Sequence, residues 1–198
     1  CVGKPVPGAE IKIIQISEEP ILKWEEGLEV SKGQVGEIIV KAPWVTKTYY
    51  NREDVTKLAK IPDGETFWHR MGDVGKLDEQ NQLWFCGRKS HRVITNLETL
   101  FTIPCEALFN QHPDVRRSAL VGIDSGSYRQ PVIIIEPENK NRVANNKEAF
   151  TQELLEIAAS SSHTRPIKKV LFHPDFPVDV RHNAKIFREK LAAWAENQ

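Results

Sequence analysis

An excess of charge of either sign is missing from this 198-residue sequence, in which 27 Lys and Arg balance 27 Asp and Glu. A nucleic-acid-binding surface ordinarily needs a basic excess or stripe, so that class of partner is not expected. Long apolar runs are also missing; no stretch reaches the roughly 18 residues of a membrane-spanning helix, and no transmembrane segment is expected. The opening residues, CVGKPVPGAEIKIIQ, lack the basic and apolar regions of a secretory signal. Cysteine is scarce. Cys1, Cys86 and Cys105 form no C-x-x-C pair and have no second Cys or His at ligand spacing, which argues against a metal site. Free thiols in a reducing compartment, and hence a cytoplasmic location, are the simplest reading. Repeats and low-complexity tracts are absent, and no histidine is paired with Ser or Cys in a nucleophile motif. Methionine is missing from the first position. The chain opens with Cys1 into a turn rich in Gly and Pro (Gly3, Pro5, Pro7, Gly8), so the expectation is a start inside a longer polypeptide.

What is present is an ordinary globular composition, 40% hydrophobic and 27% charged, with enough chain for a sizeable core. The first third reads as β. Residues 9–17 (AEIKIIQIS), 35–41 (VGEIIVK) and 82–86 (QLWFC) alternate or run apolar between Gly- and Asn-containing turns. The character changes after Gly87. Residues 103–111 read as a helix with Pro104 near its first turn, and 118–123 and 131–136 read as apolar strands. Residues 146–159 read as a helix, 170–173 as a short strand, and 184–195 as a last helix with Phe187, Leu191 and Trp194 on one stripe. The predicted fold class is α+β: a small distorted β-barrel subdomain over 1–87, then a compact α+β domain over 88–198 with a short sheet flanked by helices.

Three segments hold residues with chemistry to offer. In WHRMGDVG (68–75), read as a loop between β elements, Gly72-Asp73 is by itself an ordinary turn pair. The functional alternative is that Asp73 accepts hydrogen bonds from two vicinal hydroxyls, as acidic residues do at a ribose. Arg88 alone is an ordinary surface residue, yet it follows Gly87 at the expected domain boundary, a favoured place for a ligand. Lys185, placed at the opening of the last helix, is on its own a solvated lysine. His182 is read as a loop or capping residue rather than a base.

The order and spacing of these segments carry more than any one of them. The succession GQVGEIIVKAPWVTKTYYNREDVT, WHRMGDVGKLDEQNQLWFCGRKSHRVI, IPCEALFNQHPDVRRSALVGI and DVRHNAKIFREKL resembles the adenylate-forming superfamily over the whole chain. That group includes acyl-CoA synthetases, peptide-synthetase adenylation domains and luciferases. FCGRKSHRV, FTIPCEALFN and DVRHNAKIFREKL are more narrowly similar to its bacterial olefin-biosynthesis branch, whose members close 3-hydroxy fatty acids into β-lactones with ATP.

The resemblance implies roles. Asp73 matches the ribose-binding aspartate of a Thr-Gly-Asp motif, with Met71 in the threonine's place; Arg88, fifteen residues on, matches an arginine that contacts the same ribose. Lys185 matches the catalytic lysine of a Gly-Lys pair, with Ala184 for the glycine. Tyr49 and Tyr50 match a Gly-Tyr segment and are read as barrel packing. The hinge position falls on Ser90, where relatives carry Asp or Lys. Leu97 and Thr99 stand where CoA-using relatives have a glycine near a pantetheine tunnel, which counts against a CoA step. The implied substrates are ATP, with Mg²⁺, and a fatty or 3-hydroxy fatty acid; AMP is the implied leaving group. Residues 88–198 are implied to be a carboxyl-terminal lid that closes on the chain's own larger amino-terminal adenylation domain, so this piece alone is expected to be inactive. The competing readings are an acyl-CoA synthetase that forms a thioester and a non-catalytic interaction module.

Overall fold

Alternating isoleucines build the first half of the chain as sheet, because β-branched side chains pack well on a pleated surface. The computed structural model describes residues 1–179 and 181–198, excepting the side chains of 182–184. Two compact units are present, Cys1–Ser90 and His91–Gln198.

In the first unit, β1 (Glu10–Ile14) pairs antiparallel with β2 (Gly36–Lys41), Ile13 opposite Ile38. Helix α1 (Glu53–Ala59) leads into β3 (Lys60–Asp63), β4 (Thr66–Leu77) and β5 (Leu83–Arg88). Strand β4 is the spine. One of its edges pairs with β2; the other pairs with β3 along its first half and with β5 along its second. Among the described residues no pairing joins β1 to β3 or β5, so the expected distorted barrel takes the form of an open five-stranded sheet. Ile14, Ile39, Ile61 and Trp68 form its core cluster, with Ile21, Trp24 and Leu28 packed against it.

The second unit begins with the short pair β6 (Val93–Ile94) and β7 (Thr99–Leu100), followed by α2 (Thr102–Phe109). Strands β8 (Val115–Asp124) and β9 (Arg129–Pro137) pair antiparallel. Helix α3 (Lys140–Ala159) then returns the chain to β10 (Lys169–Phe172), parallel to β9. The run VIII explains the layering. Ile133 and Ile135 pack on one face of β9 with Phe109 of α2 and Phe150 and Leu154 of α3. Val132 and Ile134 pack on the other with Phe176, Ile186 and Leu191. A strand buried on both faces reads as continuous rather than alternating. The α+β class is borne out, four α-helices accompanying several small sheets among the described residues.

Three local expectations are corrected. WHRMGDVG is not a loop but lies inside β4. Helix α3 starts at Lys140, where Asn139 Oδ1 accepts the Asn141 N–H at 3.0 Å; the expected start, Asn146, is instead a non-helical residue within it (φ −155°). Residues 184–187 are not helical: β12 (His182–Ile186) pairs with β11 (Val178–Asp179), and the last helix, α4, covers only Arg188–Ala195.

Candidate nucleotide site and its supports

Asp73 and Arg88 face each other across β4 and β5 as direct register partners. Their carboxylate and guanidinium are 3.0 Å apart, the aspartate side chain 14% exposed and the arginine 58%. Backbone irregularity brings them there. Between Glu37↔Val74 and Ile39↔Arg70, β4 spends four steps where β2 spends two, so the segment Met71–Asp73 bulges. On its other edge, β5 spends two steps from Gly87 to Phe85 against one on β4. Bulges of this kind re-aim side chains next to active sites. Each contains a glycine with positive φ, Gly72 at 71° and Gly87 at 123°, a conformation that is costly for other residues.

The electrostatics of the pair are uneven. Burial raises the proton affinity of Asp73, and the adjacent Arg88 charge opposes that shift. Asp73 Oδ1 is inaccessible to water, and although it lies at ion-pair distance from Arg88 it has no aligned hydrogen bond. Arg88 Nη1 instead donates weakly, at 3.5 Å, to the Met71 carbonyl. The part of the carboxylate that stays exposed, beside a half-exposed guanidinium, suits a hydroxyl-bearing ligand.

In the same sheet lies a buried ionic cluster that the sequence analysis does not single out. Glu37 and Arg70, both nearly inaccessible, pair at 2.8 Å. Arg70 also donates to the carbonyls of Glu19 and Leu58, each at 2.9 Å, and to that of Ser17. Lys89, immediately after Arg88, reaches the Ser17 carbonyl at 2.8 Å and Glu37 at 3.4 Å. The sequence signal was available: Glu37 sits inside the apolar run GEIIV and Arg70 within WHRM, charges where strands bury residues.

The remaining sequence candidates are dispersed. Ser90 is exposed, in a single 3-10 turn over Lys89–His91, and is the last residue of the first unit. Lys185 belongs to the second unit, exposed on β12 rather than at a helix start. The side chain of His182 lies outside the described residues. Tyr50 is exposed rather than packed, and Tyr49, partly exposed, has the Lys60 ammonium over its ring at 5.9 Å. Leu97, also exposed, sits in the turn that joins β6 to β7, closed by Thr95 N–H to the Glu98 carbonyl at 2.9 Å. Cys86 and Cys105 are buried free thiols, whereas Cys1 is exposed.

No family model matches the chain. An olefin beta-lactone synthetase of Xanthomonas campestris pv. campestris is 46% identical over 203 residues, covering 100% of this chain. Another from Stenotrophomonas maltophilia is 43% identical over 200 residues, covering 98%. The chain belongs to the adenylate-forming superfamily. It spans 36% of the length of each of these relatives. Among solved adenylate-forming enzymes, the O-succinylbenzoate Coenzyme A synthetase of Bacillus subtilis, in complex with AMP, superposes with a TM-score of 0.73 at 25% identity, over 96% of this chain and 34% of that one. Among the described residues, no helix is long and apolar enough to cross a membrane.

Proposed function

We propose that this chain is the carboxyl-terminal part of an ATP-dependent enzyme that adenylates a 3-hydroxy fatty acid and then closes a β-lactone with release of AMP. The observation that carries the nucleotide half is the pairing of Asp73 with Arg88 at 3.0 Å, the carboxylate still 14% and the guanidinium 58% exposed. A ribose diol donates to the carboxylate, and Arg88 takes a ribose oxygen as acceptor. Support for the lactone half comes from the two olefin beta-lactone synthetases, each matching nearly the whole chain, and from Leu97 in the β6–β7 turn.

In the first step a carboxylate oxygen attacks the α-phosphorus and pyrophosphate leaves. Both reactants are anions, and the transition state gathers more negative charge at phosphorus. A preorganised ammonium in a water-poor site stabilises such charge by about 3–4 kcal/mol, judged from a comparable oxyanion donor. Lys185 is assigned that role, on a lid formed by the second unit that turns about Ser90. Mg²⁺ would be held by the β- and γ-phosphates of the nucleotide and screen their charge. In the second step the substrate's own 3-hydroxyl attacks the acyl carbon, the C–O bond to AMP breaks, and the hydroxyl proton leaves with the departing phosphate or solvent. Tethering makes this attack intramolecular.

A second reading, thioester formation with CoA, is favoured by the likeness to a Coenzyme A synthetase. One experiment separates them: mass spectrometry of the products that the intact synthetase makes from ATP and 3-hydroxy fatty acids, with and without CoA. A β-lactone formed without CoA supports the proposal; an acyl-CoA as sole product overturns it.

A further inference from the structure

Two of the segments that carry the family likeness, residues 101–110 and 179–191, have no role in the proposed chemistry apart from Lys185. Inside the second unit they meet. Glu106 of α2, its side chain 6% exposed, accepts Arg188 Nη2 at 2.9 Å on Oε1 and 2.7 Å on Oε2. The same Oε1 accepts the backbone N–H of Leu120 in β8 at 2.8 Å. Arg188 is the first residue of α4, directly beyond the strand that bears Lys185. Between them, Ile186 is buried in the core cluster and the Phe187 N–H donates to the Pro177 carbonyl at 2.9 Å.

We propose that Glu106 is a positioning residue for Lys185. Through Arg188 it ties the exit of β12 to α2 and to β8, so the strand carrying the ammonium has one seat on the sheet. The inference rests on the adenylation role given to Lys185 above. Stability alone does not call for such a pair. A buried ion pair carries a desolvation penalty that apolar residues of similar volume avoid. Arg188 Nε is itself buried without a hydrogen bond, an additional cost. What the pair supplies is direction: one guanidinium nitrogen between two carboxylate oxygens, with a second, backbone, donor fixing the carboxylate.

The test separates the two half-reactions in the intact synthetase. Adenylation is read by ATP–pyrophosphate exchange, and lactone closure by AMP release from synthetic 3-hydroxyacyl-adenylate, a step that does not use Lys185. Glu106→Ala is expected to lower the adenylation kcat by roughly 10–100-fold, the loss associated with a displacement of about 1 Å. The KM for ATP should stay within about twofold, and so should consumption of the synthetic adenylate, because neither depends on Lys185. Arg188→Lys, which keeps a cation, should restore most of the rate that Arg188→Met loses. Should Glu106→Ala fail to fold, Glu106→Gln keeps an acceptor for Leu120 and removes the charge, and the same readings apply. Unchanged adenylation in these variants, or equal loss in both half-reactions with a lowered melting temperature, overturns the inference. Lys185→Ala is the control. If it leaves exchange intact, the adenylation reading itself fails; if it abolishes exchange while the Glu106 variants do not, only the positioning role fails.

Discussion

Asp73 holds a charge in a place that disfavours it. Burial pushes its pKa above the usual carboxylate range, with Arg88 pulling the other way. A carboxyl whose folded pKa exceeds its unfolded value binds more protons when folded. Its ionisation therefore costs stability as pH rises from the unfolded value of about 3.9 through the raised one. Asp73→Asn is accordingly expected to melt at or above the parent temperature at pH 7, and to lose that advantage in acid, where both side chains are neutral. A fall of several degrees at pH 7 would contradict this. The same substitution should weaken ATP binding by roughly 10–150-fold, since a hydrogen bond to a charged group contributes about 1.5–3 kcal/mol; the KM in pyrophosphate exchange measures it. Nucleotide affinity should likewise decline as pH falls through the raised pKa, because protonation takes away the acceptor charge.

At the scale of elements, β4 shows both what the sequence disclosed and what it concealed. The alternation in VGEIIVK and the apolar run PVIIIE located β2 and β9, because two-residue periodicity and continuous burial leave direct traces in composition. Strand β4 was hidden because Gly72-Asp73 looks like a turn, and positive φ belongs to turns as readily as to bulges. β12 was hidden because NAKIFREKL has helix-like spacing, while Ile186 is buried in the second unit's core and pairs with Val178. Tertiary contact overrode local pattern there. Asp73 and Arg88 were legible as candidates, yet their pairing needed the double bulge. Gly72→Ala is expected to cost about 1–2 kcal/mol, the penalty for a side chain at left-handed φ, and to impair nucleotide binding more than a matched surface substitution does. Glu37→Ala leaves Arg70 and Lys89 facing each other's charge without their shared carboxylate. A loss of about 3–5 kcal/mol, the usual result of removing one partner of a buried pair, is expected by chemical denaturation.

For the molecule as a whole, the proposed mechanism requires motion about Ser90, which closes the first unit and occupies a single turn of 3-10 helix. Ser90→Pro fixes φ there and deletes an N–H. Overall turnover of the intact synthetase should fall, while AMP affinity, assigned in the proposal to Asp73 and Arg88, should hold; unchanged turnover would argue against a pivot at this residue. Residues 1–198 alone are expected to release no pyrophosphate from ATP and a fatty acid, and any such release would contradict the proposal.

The core clusters have a calorimetric consequence. Among the described residues, Ile14, Ile39, Ile61 and Trp68 make up one, drawn from residues before Ser90, while the clusters around β9 are drawn from residues after it. Cooperative melting follows shared burial. Heat should therefore be absorbed in two steps, and Glu37→Ala should displace one endotherm while leaving its neighbour where it was.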